Sequence, residues 1–467
     1  MLTAKSKISY GVGIVLVLIV FWVIFGISMN SKLLDPENLF AVTLISERTY
    51  GEFWSESTYS HFVTYRPIIA TIFKLEYDLL GFSPKVLNFT SLVLLAVLSC
   101  QIYDIVFRRS KNMLTAVIPA LFFVTDWRLQ ENVDTFIGAQ DTLAGIFGLW
   151  ALWVLWFSQT KYKAGITFLL LLASFMSKEF GMAFALAVLV FALYEKPKQW
   201  KSIVMASFGA VAVFVAIRLV LGLIPLPGEY PSFMNRAKWS LINIASGFIF
   251  TFLPSFTGSD GELPLFNNIN LPPTNHFQLN DSTIILFQVI PIVVLFLLGF
   301  SNKKERKLYL PLFFLIIGNS VLFFYKYAYR FHFIGIIGMY LIVGLGIDFL
   351  YNKLTRKLQL VEISTIFLIL LAMILQQRGL YLHDYFRSYL EWNDPSQCTS
   401  DLGYSPAEIE RCLTYRSLCI PTEEYYLRED FHGYYSATTP DTVRLVMQYY
   451  EIPAEYCTCL NPSPKCE

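Results

Sequence analysis

Residues 112–157 read NMLTAVIPALFFVTDWRLQENVDTFIGAQDTLAGIFGLWALWVLWF, two apolar runs separated by a short polar segment. That segment, from Asp126 to Asp141, holds four carboxylates and one arginine. Charge between two membrane-length apolar runs is costly unless it faces water, a partner or a substrate. The stretch therefore predicts two membrane spans joined at a functional surface.

The rest of the chain has the same apolar character. Of its 467 residues, 55% are hydrophobic and only 15% are charged, and the mean hydropathy is +0.51. An ordinary soluble domain is about 25% charged. We therefore predict an all-α polytopic membrane protein. The net charge of +1 gives no indication of a nucleic-acid partner.

Apolar runs of roughly spanning length predict about 11 transmembrane helices. They lie at 9–28, 86–107, 112–126, 142–157, 164–178, 180–194, 201–223, 283–300, 308–325, 333–350 and 360–377. Lysine and arginine clusters fall in every second link, which the positive-inside rule assigns to the cytoplasm. The N-terminus is then cytoplasmic and the C-terminus extracytoplasmic. The first run could be a signal peptide, but its length favours a retained anchor.

This topology places outside the first loop (about 29–85), the second loop (127–141), the loop at 224–282 and the C-terminal tail. Residues 240–256 are expected to form a re-entrant or interfacial helix there. We divide the chain into a multi-pass domain, 1–377, and a small extracytoplasmic tail, 378–467. The tail carries six of the seven cysteines: Cys398, Cys412, Cys419, Cys457, Cys459 and Cys466. An even number of cysteines in an exported segment predicts three disulfides, with zinc binding as the alternative.

Charged side chains collect at the predicted outer ends of the spans. They belong to the first loop, the second loop and two later turns: Asp35, Glu37, Arg66, Asp126, Glu131, Asp141, Lys178, Glu179 and Arg330. Each could have a simple explanation, such as a solvated carboxylate or a cation reaching the interface. Together they fit a cleft that binds a phosphate with cations and activates a hydroxyl with a carboxylate.

Four stretches also resemble, in order, blocks of the GT-C membrane glycosyltransferases, and most closely the protein O-mannosyltransferase-like group. They are YRPIIATIFKLEYDLLGFSP (65–84), ENVDTFIGAQD (131–141), LLLLASFMSKEFGMAF (169–184) and RFHFIGIIG (330–338). The resemblance implies a GT-C-like transmembrane domain with a catalytic carboxylate in its first outer loop. It also implies an outward-facing active site and a polyprenyl-phosphate-linked sugar donor, with a hexose such as mannose.

The resemblance assigns roles to the charged residues. Asp35 matches the general base, Glu37 is the alternative, and Glu131 occupies a second acidic position that could orient the acceptor. The expected substrate-binding residues are Arg66, Arg330, Lys178, Glu179, Asp126 and Asp141, because guanidinium groups suit a departing phosphate. Two histidines of the family motif are replaced here by Asp126 and Leu129. No cofactor is therefore certain, although Asp126 and Glu131 could hold Mg²⁺ or Mn²⁺.

The sequence thus predicts a hexosyltransferase of the plasma membrane or endoplasmic reticulum that acts on a protein, lipid or glycan acceptor. The alternatives are a transporter or flippase for lipid-linked sugars and a catalytically inactive binder of them. A transporter would place ionisable groups near the bilayer midplane. Only Asp104 and Arg218 come near such a position, so the pattern favours the enzyme.

Overall fold

The computed structural model describes residues 4–25, 44–56, 65–81, 83–126, 129, 136–223, 248, 251, 290–301, 306–322 and 333–354. This part of the chain is mostly helical and contains no strand. The helices are α1 (Ala4–Phe25), α2 (Tyr50–Ser55), α3 (Pro67–Leu80), α4 (Pro84–Ser110), α5 (Met113–Thr125), α6 (Phe136–Phe157), α7 (Lys163–Ser177), α8 (Met182–Glu195), α9 (Trp200–Val220), α10 (Ile290–Ser301), α11 (Arg306–Leu322) and α12 (Phe333–Leu354). A 3-10 turn, Glu179–Gly181, joins α7 to α8.

Each of the first ten predicted apolar runs overlaps one of these helices. Four helices, α4, α6, α9 and α12, are long and apolar enough to cross a membrane. The all-helical class and this membrane character agree with the prediction. The number of passes and the side on which each terminus lies stay predictions. The run at 360–377, the tail 378–467 and all but two residues of 240–256 lie outside the described residues.

One predicted boundary is wrong. The polar loop was expected to continue to residue 141, but α6 is already formed at Phe136. Gln140 and Asp141 are therefore helical residues, and both are buried. A prediction from hydropathy alone places the start of this span at residue 142, where the uninterrupted apolar stretch begins. Polar residues can continue such a helix when other parts of the fold supply their partners.

Helix α12 occupies the centre of the bundle. Of its most apolar window, 89% is buried, compared with 28% for the peripheral α9. Helix α12 packs on α5, α10 and α11. Close approach is possible because Gly344 has no side chain: an added Cβ would lie 2.9 Å from Val106 and 3.0 Å from Pro119. The central helix therefore fixes the positions of its neighbours on several sides.

The two ends of the bundle differ in charge. At one end, which we call the basic end, several helix termini carry exposed or half-buried lysine and arginine: Arg108, Lys161, Lys163, Lys201 and Lys307. There Asp104 accepts hydrogen bonds from Tyr10 Oη at 2.8 Å, from Trp153 Nε1 at 2.7 Å and from Arg108 Nε at 2.8 Å. These bonds join α1, α4 and α6.

The opposite end, which we call the site end, is formed by the other termini of the same antiparallel helices. Helices α5, α7 and α9 end there, and α6 and α8 begin there. Its charged residues come from five separate parts of the chain: Arg66, Asp126, Asp141, Lys178–Glu179 and Arg218. The fold thus brings together side chains that are far apart in the sequence.

Candidate functional site

A buried ion pair joins the start of α6 to the end of α7 at the site end. Lys178 Nζ donates a hydrogen bond to Asp141 Oδ2, and the exposed fractions of the two side chains are 0% and 1%. Lys178 follows the last residue of α7 in an extended conformation, with φ −160° and ψ 142°. An isolated charge would be expensive at this depth, so each partner makes burial of the other possible.

The turn that follows is held close to α6. Ser174 Oγ donates to the Ala144 carbonyl at 2.7 Å, and the Gly181 N–H donates to the Lys178 carbonyl at 2.9 Å. A Cβ on Gly181 would lie 2.8 Å from both the carbonyl carbon and the carbonyl oxygen of Ser174. Only glycine permits this approach without a backbone shift. The position of Glu179, two residues earlier, is consequently well defined.

Arg66 connects the first polar loop to this turn. It precedes Pro67 at the start of α3. Its Nε donates to Glu179 Oε2 at 3.0 Å and its Nη2 lies 2.9 Å from the same oxygen. Its Nη1 donates to Gln140 Oε1 at 2.6 Å. One guanidinium group therefore links α3, α6 and the 3-10 turn.

A second arginine approaches the same carboxylate from α9. Arg218 lies in the last turn of that helix, and its Nη1 is 3.8 Å from Glu179 Oε1. Its Nε donates to the Leu223 carbonyl at 3.2 Å. We call Arg66, Gln140, Glu179 and Arg218 the arginine–glutamate cluster. The side chains of its charged members are 12%, 19% and 18% exposed for Arg66, Glu179 and Arg218.

The charge state of the cluster follows from its contacts. Burial acts to raise the pKa of Glu179, but the positive charges of Arg66 and Arg218 outweigh it, together with hydrogen bonds to the carboxylate. The net result is a pKa below the ordinary value for glutamate. Arginine is always protonated in proteins. The cluster therefore carries two positive charges and one negative charge at neutral pH.

Asp126 has a different environment. It follows α5, is 0% exposed, and accepts a hydrogen bond from Tyr340 Oη at 2.9 Å. Tyr340 belongs to the central helix α12, and its ring packs edge-on against Phe123 with centroids 6.2 Å apart. This carboxylate is thus enclosed by the protein and ties the end of α5 to α12.

The structure brings four of the predicted site residues to one place: Arg66, Lys178, Glu179 and Asp141. Lys178 and Asp141, however, are buried in a mutual pair, which is not the position expected of ligand-contacting side chains. Asp35, Glu37, Glu131 and Arg330 lie outside the described residues. Among the described residues, no group of three or more histidine, cysteine, aspartate or glutamate side chains could hold a metal ion.

Three residues of the site end were not among the predicted ones: Gln140, Arg218 and Tyr340. The sequence predicts an apolar run that extends to residue 223, with Arg218 inside the span. The helix ends at Val220, which leaves the arginine in the last turn, as a C-terminal cation commonly is. An arginine near the C-terminal end of an apolar run therefore indicates where the helix ends, and this signal could have placed Arg218 at the site end. Gln140 and Tyr340 carry no charge, and nothing in their sequence context distinguishes them.

Comparison with protein-family models gives no match for this chain. Comparison with curated proteins gives none either. The resemblance to GT-C glycosyltransferases therefore rests on the four short sequence blocks alone.

Proposed function

We propose that this protein is a membrane glycosyltransferase that transfers a hexose from a polyprenyl-phosphate carrier to an acceptor on the extracytoplasmic side. The observation that carries this proposal is the arginine–glutamate cluster. Arg66 and Arg218 place two partly exposed guanidinium groups beside each other at the ends of two helices, around the Glu179 carboxylate. Two guanidinium groups in such a position suit a lipid-linked phosphate.

The chemistry needs two further functions besides phosphate binding. Sugar transfer at C1 requires stabilisation of the departing phosphate, which the arginines supply. It also requires a base for the acceptor hydroxyl, and Asp35 is our choice, with Glu37 and Glu131 as the other candidates. A divalent ion held with Glu131 would assist the same step. The acceptor is a protein, lipid or glycan hydroxyl.

The proposed orientation is supported by the difference in charge between the two bundle ends. Lysine and arginine at the basic end favour the cytoplasmic side, so in this proposal the site end faces away from the cytoplasm. The distribution of charge also favours an enzyme over a transporter or flippase. Asp104 and Arg218, the two candidate mid-span ionisable residues, each have partners near the end of a helix.

The test is a transfer assay with the full chain in lipid nanodiscs. The donors are polyprenyl phosphates bearing radiolabelled mannose, glucose or galactose, and the acceptors are solubilised membranes from cells that lack the protein. We expect transfer of one hexose, and a fall of about 100-fold or more for Arg66→Leu, the loss typical when an electrostatic donor to the transition state is removed. Lys201→Met, on the basic end of α9, is the control and should keep full activity.

The same assay tests the carboxylates. Asp35→Ala, Glu37→Ala and Glu131→Ala are compared at equal amounts of folded protein, and loss of transfer in one variant identifies the base. Absence of transfer from every donor by folded wild-type protein would contradict the proposal. So would an Arg66→Leu variant as active as Lys201→Met.

A further inference from the structure

Helix α3, in the segment assigned to the first loop, packs on the site end through one apolar face. Ile69 and Phe73 lie on that face and are buried. They form a small hydrophobic cluster with Ala139 and Leu143 near the start of α6. These contacts fix the rotation of α3 about its own axis, and so determine which side chains point away from the bundle.

The opposite face of α3 is also apolar, but it is exposed. Leu75 and Leu79 are 51% and 72% exposed. At about 100° per residue, Leu75 lies about 200° around the helix from the buried Phe73. A helix whose outer face met only water would carry polar residues at these positions. An exposed apolar surface of this kind marks contact with a membrane or another molecule.

A polar face separates the two apolar ones, and α2 lies along it. Trp54 Nε1 of α2 donates to Thr71 Oγ1 at 3.0 Å, and the Tyr50 hydroxyl donates to the Asp78 carboxylate. Lys74 Nζ lies 2.9 Å from Asp78 Oδ1. Tryptophan, tyrosine and lysine combine an apolar body with a polar end, and they are the side chains that collect where lipid headgroups meet acyl chains. The polar face thus has the composition of a membrane interface.

The exposed leucines lie next to a helix that is long and apolar enough to cross a membrane, α4. Gly81, with φ +73°, ends α3, and α4 begins three residues later at Pro84. Glu76 Oε1 accepts a hydrogen bond from Thr90 Oγ1 at 2.5 Å, which holds the last turns of α3 against the first turns of α4. The exposed apolar side chains of α4 follow at every fourth position: Phe89, Val93 and Val97. Leu79, one turn after Glu76, therefore continues the exposed apolar surface of α4.

We infer that α3 lies in the interface of the bilayer at the site end, with Leu75 and Leu79 inserted among the phospholipid acyl chains. Helix α4 has 27 residues and is about 40 Å long, whereas the hydrocarbon core is about 30 Å thick. Its first turns, and α3 beside them, therefore reach the headgroup region. Helix α3 has 14 residues, too few to span, and interfacial helices bury their apolar face about 5–10 Å deep.

The inferred position has a consequence for the arginine–glutamate cluster. Arg66 directly precedes α3, and Leu79 lies near the other end of the same helix. A helix of this length spans about 21 Å. Seating one end of α3 in the lipid thus sets the distance between the membrane surface and the Arg66 guanidinium group, whatever that group binds.

The first experiment identifies what covers the exposed leucines. The photoreactive amino acid p-benzoylphenylalanine replaces one residue at a time in the full chain, which is held in phosphatidylcholine nanodiscs. Leu79 is the test position, Val93 of α4 is the lipid-facing reference, and the exposed Glu56 at the end of α2 is the polar control. Mass spectrometry after irradiation measures the phosphatidylcholine adducts. We expect a yield at Leu79 close to that at Val93 and about tenfold or more above that at Glu56, the preference of one leucine-sized side chain for apolar surroundings.

The second experiment measures how much the lipid contact stabilises α3. Amide hydrogen exchange of residues 67–80 is followed in the same nanodiscs. Leu79→Gln should speed this exchange by about tenfold, because the local opening no longer removes a leucine from the lipid. The matched control is Leu193→Gln, an exposed leucine near the opposite end of the bundle on α8, which should leave the exchange of α3 unchanged.

Three results would overturn the inference. The first is a lipid adduct yield at Leu79 no higher than at Glu56. The second is cross-linking of Leu79 to another part of this chain or to a second copy in place of lipid, which would assign the exposed leucines to a protein contact. The third is equal exchange of α3 in Leu79→Gln and Leu193→Gln. Neither measurement involves sugar transfer, so the outcome is independent of the proposed function.

Discussion

Replacement of Lys178 by methionine should destabilise the protein strongly. The substitution keeps most of the side-chain volume but leaves the Asp141 carboxylate, 1% exposed, without its cation. Two opposite charges about 4 Å apart interact by about 4 kcal/mol at an effective dielectric constant of about 20. Measured losses from breaking one side of a buried pair are about 3–5 kcal/mol. We therefore expect the free energy of unfolding to fall by about 3–5 kcal/mol.

The assay is equilibrium unfolding of the full chain in mixed detergent micelles, followed by tryptophan fluorescence. The control is Lys307→Met, because Lys307 forms an ion pair with Glu195 at 3.0 Å but its side chain is 59% exposed. Exposed pairs contribute about 0–1 kcal/mol. The double variant Lys178→Met/Asp141→Leu removes both charges and should recover at least half of the lost stability.

The reasoning would be refuted if Lys178→Met were no more destabilising than Lys307→Met. It would also be refuted if the double variant were as unstable as the single one, because the loss would then come from packing. A stable Lys178→Met variant that had lost phosphate binding would instead support the direct ligand contact predicted from the sequence.

Three further results are expected from other parts of the fold. Gly181→Val should lower the free energy of unfolding by about 1–3 kcal/mol, because the valine Cβ would overlap the Ser174 carbonyl. The same unfolding assay measures this loss. Asp104→Asn should lower it by a similar amount, about 1–3 kcal/mol, since a charged acceptor of the Trp153 N–H is lost. Asn88, part of the sequon Asn-Phe-Thr, should carry no glycan in a glycosylating host, because it is helical and 2% exposed, and peptide mass spectrometry checks this.

The sequence predicted ten of the twelve described helices because their apolar runs are long, but α2 and α3 fall in the segment assigned to the first outer loop. Hydropathy reports the composition of a segment, and ten of the predicted runs overlap helices for that reason. It does not report partners from elsewhere in the chain. Asp141 was therefore assigned to a loop, although Lys178, 37 residues later, permits it to be buried in a helix.

The sequence predicted most of the charged residues that lie at the site end, but not which cation contacts which carboxylate. Antiparallel helices joined by short links must bring alternate ends together, so Arg66 and Lys178–Glu179 were expected to be neighbours. Which cation faces which carboxylate depends on the rotation of each helix about its axis. Arg66 pairs with Glu179 and Gln140, 113 and 74 residues away, and no local pattern indicates those contacts.

The partners of the described carboxylates narrow the choice of the proposed catalytic base. Asp141 and Asp126 are 1% and 0% exposed, whereas a general base must come within hydrogen-bond distance of the acceptor hydroxyl. Glu179 is exposed in part but is held between two arginines, which weakens it as a proton acceptor.

In our proposal the base therefore belongs to one of the chain segments that connect helices of the site end. Glu131 is five residues from Asp126 in the sequence, so the chain keeps their Cα atoms within about 18 Å of each other. Helix α1 begins at the basic end, where Tyr10 contacts Asp104, and so ends at Phe25 toward the site end. The first loop thus starts there, with Asp35 ten residues later. Arg66 closes the same loop, so phosphate binding and proton transfer would be supplied by the two ends of one segment.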